Sequence, residues 1–260
     1  MYETELAKMI EAVKKSNLEI KRIYQAGFTV KLKADHSPVT DADLASNKII
    51  RDTLSCFKDI SWLSEEDIDD VKRMQAKKIF IIDPLDGTQD FVNHDGSFGV
   101  NLALVEDRHP VVAVIGVPMK QAYAYAVIGQ GSYYVDAEGH ETRMHVSSRT
   151  KDLILVSSMT HVNKEEETVF NKHKTLIKEI QKLGASTKAI AIASGLADCC
   201  IRYTNATKEW DVCAPELIVT EAGGVFTDTN LKPFIYNRKN VYNEDGYCMF
   251  NRKENEILLK

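Results

Sequence analysis

An apolar run that ends in two aspartates around a turn constrains this chain more than any other feature. Residues 79–82 read IFII, and residues 83–88, DPLDGT, follow directly. The run predicts a buried strand, and the Pro–Gly turn after it holds Asp83, Asp86 and the carbonyl of Leu85 close together. Such oxygen-rich sites suit hard divalent cations, Mg²⁺ in particular.

The end of the same motif offers a place for an anion. Gly87 and Thr88 carry backbone N–H groups where a helix can begin, and helix starts bind anions. Metal ligands beside a phosphate cradle indicate phosphoryl chemistry. A plain turn is the alternative interpretation of the motif, because Asp, Pro and Gly each favour turns.

Three further acids stand at the ends of predicted elements. Asp43 lies at a helix start, Glu65 follows a short strand, and Asp211 opens a late helix. Each has an ordinary explanation by itself: a first-turn acid, a solvated loop or a helix N-cap. Their occurrence together with DPLDGT favours one shared cleft.

Composition excludes several classes of protein. The 260 residues carry a net charge of −5 and no basic cluster, which argues against a nucleic-acid surface. No apolar stretch approaches the roughly 20 residues of a membrane helix, and the charged, amphipathic N-terminus is unlike a signal peptide. We therefore expect a cytoplasmic protein with reduced thiols. Its five cysteines form no CxxC pair: Cys56, Cys199, Cys200, Cys213 and Cys248.

The pattern of hydrophobic residues changes near residue 150. Before it, apolar spacing predicts two helices, one of them ending at Gly27, and then an antiparallel meander of β-rich runs. After it, strands and helices alternate. The interpretation is two lobes packed as one unit, an N-terminal lobe of residues 1–150 with most of the acids and a C-terminal lobe of residues 151–260 with Asp211.

Two local predictions concern the C-terminal lobe. Residues 163–184 are spaced as one amphipathic helix, and Pro215 falls in the first turn of a helix that stops at Gly223 and Gly224. The adjacent Cys199 and Cys200 belong to a strand and are expected to point to its opposite faces.

The set SEED, IIDPLDGT and WDVCAPELIVTEAGG resembles the inositol monophosphatase superfamily of Mg²⁺-dependent, lithium-sensitive phosphatases, over a span from Ser37 to Gly224. The resemblance implies an α+β fold, an α/β/α/β/α sandwich with the active site between two lobes. It also implies two to three Mg²⁺ ions and a small phosphate-ester substrate. Family members include dimers and monomers, so a homodimer stays an open alternative.

The resemblance also implies roles for individual residues. Asp43 and Thr88 would orient the nucleophilic water, and Glu65 would join them in catalysis. The metal ligands would be Glu65, Asp83, the Leu85 carbonyl, Asp86 and Asp211. Substrate would contact Asp86, Gly87, Thr88, Lys188 and Asp211.

Details of the sequence are similar to the bacterial 3′(2′),5′-bisphosphate nucleotidases of the CysQ type. Residues 33–40 (KADHSPVT), 63–67 (LSEED) and 101–104 (NLAL) carry this likeness. Lys188 stands where these nucleotidases carry a lysine, and it could meet a second phosphate. The alternative interpretation of Lys188 is a lysine on a helix that faces solvent. The branch implies a role in sulfur metabolism.

Three functions remain to be compared. The first is hydrolysis of the 3′-phosphate of adenosine 3′,5′-bisphosphate, or of its 5′-phosphosulfate analogue. The second is an inositol monophosphatase or a broad sugar-phosphate phosphatase. The third is a non-catalytic protein that only binds phosphorylated ligands, against which the Thr88 and Asp43 pair argues, because binding needs no activated water.

Overall fold

The structure, a computed structural model, describes residues 2–34, 36–159 and 163–259. Asp35, part of the KADHSPVT motif, lies outside this range. Six α-helices lie within the described residues: α1 Glu3–Ala26, α2 Asp41–Leu54, α3 Thr88–Val92, α4 Lys164–Lys172, α5 Thr187–Ala193 and α6 Glu209–Glu221. There are also 3₁₀ turns at Val71–Gln75, Pro118–Lys120 and Lys253–Leu259.

The described strands form a hairpin and two larger sheets. Their bounds are β1 Val30–Leu32, β2 Pro38–Thr40, β3 Ser61–Ser64, β4 Lys78–Asp86, β5 Gly99–Glu106, β6 His109–Val117, β7 Ala122–Val127, β8 Gly131–Val135, β9 Glu141–Met144, β10 Leu153–Ser157, β11 Ile177–Lys182, β12 Cys199–Arg202, β13 Val225–Thr227 and β14 Tyr247–Phe250. One sheet has the order β3-β4-β5-β6-β7-β8-β9, and the other β11-β10-β12-β14-β13. From β4 to β9 every pairing is antiparallel, which confirms the predicted meander.

Alternation along β5 shows how the seven-stranded sheet separates two cores. Leu102 and Leu104 lie in the cluster formed with α1 and α2, whereas Ala103 and Val105 lie in the cluster formed with α5 and α6. Successive side chains of a strand point to opposite faces, so both faces of this sheet must be covered by helices. Both faces of β5 are indeed buried.

The five-stranded sheet is sandwiched in the same way. Cys200 of β12 packs into the core shared with α6, while Cys199 packs outward beside Phe170 of α4 and Leu258 of the C-terminal turn. The two cysteines therefore point to opposite faces, as predicted. The order of layers is helices, sheet, helices, sheet, helices, which confirms the predicted α/β/α/β/α sandwich.

The single helix predicted for residues 163–184 is wrong. The helix α4 ends at Lys172, and β11 then pairs in parallel with β10 at the edge of the sheet. Because an edge strand is paired on one side only, the charged side chains of Lys178 and Glu179 stay exposed. Such charged residues are typical of helices rather than strands, which explains the wrong prediction. Pairing with β10 overrides that local preference.

The predicted position of Pro215 is also wrong. Helix α6 begins at Glu209, so Pro215 is its seventh residue and lies in the second turn. Proline has no N–H to donate to the carbonyl four residues earlier, that of Asp211. The carbonyl of Asp211 therefore receives no hydrogen bond from residue 215, although the helix continues through this position.

Candidate active site

The DPLDGT turn is built where β4 leaves the sheet. The pairing of β4 with β5 shifts register between Asp83 and Asp86, so the intervening Pro84 and Leu85 bulge out. The backbone N–H of Leu85 donates to Asp83 Oδ1 at 3.1 Å, which holds the turn closed. The two aspartates consequently face the same side of the bulge.

Gly87 is required by the path of the chain at this turn. Its φ is +87°, a conformation that L side chains rarely adopt. A Cβ here would also lie 3.1 Å from the Cβ of Ala185 and 3.3 Å from the carbonyl oxygen of Ser97. The backbone between Asp86 and Thr88 can therefore pack closely only with glycine.

Three acids that are distant in sequence meet here. One carboxylate oxygen each from Asp83, Asp86 and Asp211 lie within 4.8 Å of one another. Asp86 Oδ2 accepts hydrogen bonds from Asn101 Nδ2 at 3.0 Å and from the backbone N–H of Ser186 at 2.7 Å. The structure thus brings together the three aspartates that the sequence nominated as metal ligands.

These acids are costly to ionise without a cation. Burial, followed by the charges of Glu65, Asp86 and Asp211, holds the pKa of Asp83 well above its usual range. Burial and the neighbouring Asp86 raise the pKa of Asp211 to about 8. A divalent cation among these oxygens would remove the repulsion, and carboxylates are the donors that Mg²⁺ prefers. The donor set therefore fits this metal.

Glu65 lies beside the three aspartates but has a partner of its own. Its backbone N–H donates to the carbonyl of Ile82, so it follows β3 directly into the site. Its Oε1 accepts from Lys33 Nζ at 2.8 Å, and Lys33 also contacts Glu66. Its charge contributes to the raised pKa of both Asp83 and Asp211. A bound cation would compete with Lys33 for this carboxylate.

Thr88 and Asp43 form a second part of the site. Thr88 Oγ1 donates to Asp43 Oδ1 at 3.0 Å, or to the Leu85 carbonyl at 3.1 Å. Asp43 Oδ2 accepts from both the N–H and the hydroxyl of Thr40, at 2.7 and 2.6 Å. Thr40 caps α2 and so fixes the carboxylate, leaving Oδ1 for Thr88.

A pocket opens next to the aspartates, and positively charged side chains are part of its lining. Lys188 in α5 lines it and is only 6% exposed, so the solvent-facing alternative for this lysine is wrong. Burial lowers the pKa of Lys188, and the charge of Asp86 opposes that shift. Arg202 and Tyr247 line the same pocket and were not nominated from the sequence. An arginine that ends the apolar strand CCIR was the available signal for Arg202.

A different acidic group has a structural explanation. Asp136, Glu138 and His140 lie together in the hairpin between β8 and β9. Asp136 Oδ1 accepts the backbone N–H groups of Glu138 and His140 at 3.0 and 2.8 Å. These bonds form an ordinary turn, and Glu138 and His140 are exposed.

Comparisons with known proteins agree with this geometry. A sequence model described as the inositol monophosphatase family matches residues 2–260. A 3′(2′),5′-bisphosphate nucleotidase CysQ from Aggregatibacter actinomycetemcomitans is 32% identical over 249 residues, covering 94% of this chain and 91% of that protein. The CysQ of Escherichia coli strain K12 is 30% identical over 220 residues, covering 83% of this chain and 86% of that protein.

A solved structure shows the same likeness in three dimensions. The crystal structure of CysQ from Bacteroides thetaiotaomicron, a bacterial member of the inositol monophosphatase family, superimposes with a TM-score of 0.83 at 30% identity. The match covers 97% of this chain and 99% of that one.

Fold and family together define a phosphatase of a metal-dependent class, and three clustered acids lie in its candidate site. The chain belongs to the inositol monophosphatase family. No helix among the described residues is long and apolar enough to cross a lipid bilayer.

Proposed function

We propose that this protein is a Mg²⁺-dependent phosphatase that removes the 3′-phosphate from adenosine 3′,5′-bisphosphate, giving AMP and inorganic phosphate. Adenosine 3′-phosphate 5′-phosphosulfate, which would give adenosine 5′-phosphosulfate, is a second substrate of the same class. One observation carries the proposal: two of the three clustered aspartates, Asp86 and Asp211, line a pocket that Lys188 and Arg202 also line.

The chain's own residues have distinct tasks in this reaction. Asp83, Asp86 and Asp211, with Glu65 and the Leu85 carbonyl, would hold two to three Mg²⁺ ions. When bound, these ions neutralise phosphate oxygens and lower the pKa of the attacking water. The amides of Gly87 and Thr88, next to these acids in the chain, would hold the phosphate.

Thr88 and Asp43 would orient the water and take up its proton. Because Thr88 Oγ1 donates its hydrogen to Asp43, the lone pairs of this oxygen remain available to accept from a water. Burial raises the pKa of Asp43 above that of an ordinary aspartate, which improves it as a proton acceptor. The pair thus provides a route for one proton away from the nucleophile.

The pocket cations favour a substrate with two phosphates. An inositol monophosphate would place hydroxyl groups in this pocket, and a hydroxyl is a weaker partner for a buried cation than an anion is. A nucleotide bisphosphate places a second anion there, and bonds between ions are about twice as strong as neutral ones. Under this proposal the protein works in the cytoplasm, in sulfur metabolism.

Phosphate release with Mg²⁺ from adenosine 3′,5′-bisphosphate and from inositol 1-phosphate tests the proposal. We expect kcat/KM to be at least about tenfold higher for the bisphosphate, because only it satisfies the pocket cations. We also expect activity to disappear with EDTA, to return with Mg²⁺, and to be inhibited by Li⁺. A preference for inositol 1-phosphate would instead identify an inositol or sugar-phosphate phosphatase.

A further inference from the structure

Arg202 is a buried cation whose position the catalytic cluster does not explain. It is the last residue of β12, after the apolar residues Cys199, Cys200 and Ile201, and is only 8% exposed. Burying a guanidinium is costly unless its charge has a use or a partner. Arg202 lines the pocket that Asp86 and Asp211 also line.

A carboxylate from another element fixes this arginine. Glu166 of α4 is completely buried, and its Oε2 accepts from Arg202 Nη1 at 2.9 Å. Asn163, the N-cap of α4, accepts from the Glu166 N–H at 2.9 Å and donates to the carbonyl of Tyr203. The first turn of α4 is thus bonded to the end of β12, so the guanidinium is held in the pocket wall.

The charges in this wall are arranged for an anion. Arg202 and Lys188 are close enough for Arg202 to help lower the pKa of Lys188. Glu166 pairs with Arg202 from α4, and Lys188 adds a second positive charge to the same wall, which an anion in the pocket would offset. Bound metal ions would hold the phosphate that is cleaved, and Arg202 and Lys188 line the same pocket as the metal-binding acids Asp86 and Asp211.

We propose that Arg202 binds the phosphate that is not cleaved, the 5′-phosphate of the nucleotide, and that Glu166 is the positioning residue that holds its guanidinium. This inference rests on the proposed function and adds a specificity-determining residue to it. A guanidinium suits this task because its planar donors can grip two phosphate oxygens at once.

Two substrates that differ only in the 5′-phosphate test the inference. We expect Arg202→Gln to lower kcat/KM for adenosine 3′,5′-bisphosphate by about 10- to 100-fold, mainly through KM. For adenosine 3′-phosphate the change should stay within about twofold. Arg202→Lys keeps the charge but not the fork, so we expect a selective loss of smaller size. Glu166→Gln should also lower kcat/KM for the bisphosphate more than for adenosine 3′-phosphate.

A binding measurement gives a second readout. By calorimetry with Mg²⁺ present, Arg202→Gln should weaken binding of the product 5′-AMP by about tenfold or more and leave binding of adenosine unchanged. Arg149→Lys is the matched control for Arg202→Lys, because Arg149 also pairs with a fully buried acid, Asp198, but does not line the pocket. We expect this control to leave kcat/KM unchanged for adenosine 3′,5′-bisphosphate and for adenosine 3′-phosphate.

The outcomes separate this inference from the function on which it rests. If the wild-type protein releases no phosphate from the bisphosphate, the proposed function fails. Suppose that it does release phosphate, but that both Arg202 variants lower kcat/KM equally for the two substrates or for neither. Only the proposed role of Arg202 then fails. Should Arg202→Gln not fold, as judged by circular dichroism, Arg202→Lys decides by the same comparison.

Discussion

Asp86→Asn is expected to lower kcat by about 10³-fold without unfolding the protein. The substitution keeps the shape of the side chain but removes one of three charges that lie within 4.8 Å of one another. Burial raises the pKa of Asp86, so at neutral pH the charged form destabilises the metal-free fold. Metal-free Asp86→Asn should consequently melt at the same temperature as the wild type or higher. Phosphate release, circular dichroism and thermal melting measure these effects.

Magnesium provides the internal comparison for this variant. A ligand that binds only the folded state raises Tm, so Mg²⁺ should raise that of the wild type and raise that of Asp86→Asn much less. Asp136→Asn, in the acidic hairpin between β8 and β9, is the matched control and should retain both activity and the Mg²⁺ response. Unchanged turnover in Asp86→Asn would contradict the assignment of Asp86 as a metal ligand.

Thr88→Val is expected to lower kcat by about 10²- to 10⁴-fold while Mg²⁺ still raises Tm. Valine has nearly the shape of threonine, but it lacks the hydroxyl that donates to Asp43 at 3.0 Å. The water loses its acceptor, and Asp43 Oδ1 loses a donor. The second loss should cost about 1–3 kcal/mol of folding free energy. Single-turnover kinetics and thermal melting measure the two effects separately.

Thr88→Ser restores the hydroxyl and is the control for this variant. We expect it to recover most of the activity that Thr88→Val loses. If Thr88→Val remains fully active, or if Thr88→Ser is as inactive as Thr88→Val, the hydroxyl has no part in orienting the water. The proton route through Asp43 would then be withdrawn.

The turn that carries the first two aspartates was predictable because its causes are local. An apolar run, a proline and a glycine determine where β4 ends and how Asp83 and Asp86 converge. The cap of α2 is local too, since Thr40 and Asp43 are three residues apart. Such features depend on neighbours in sequence, so the sequence is sufficient to anticipate them.

Long-range contacts explain what was missed. Strand β11 is a strand because β10 lies beside it, while its charged residues favour a helix by composition. Lys188 was nominated only through the family resemblance, because its burial depends on other elements that cover α5 and a lysine on a short helix usually faces water. The pairing of Arg202 with Glu166 joins residues 36 apart, and no spacing rule connects them.

The account depends most on where a divalent metal binds. Crystals grown with Mn²⁺ and AMP would show it directly, because Mn²⁺ accepts the oxygen ligands that Mg²⁺ does and its anomalous scattering identifies it. We predict anomalous peaks in contact with Asp83, Asp86 and Asp211. Peaks confined to the Asp136–His140 hairpin, with none among the three aspartates, would contradict the account.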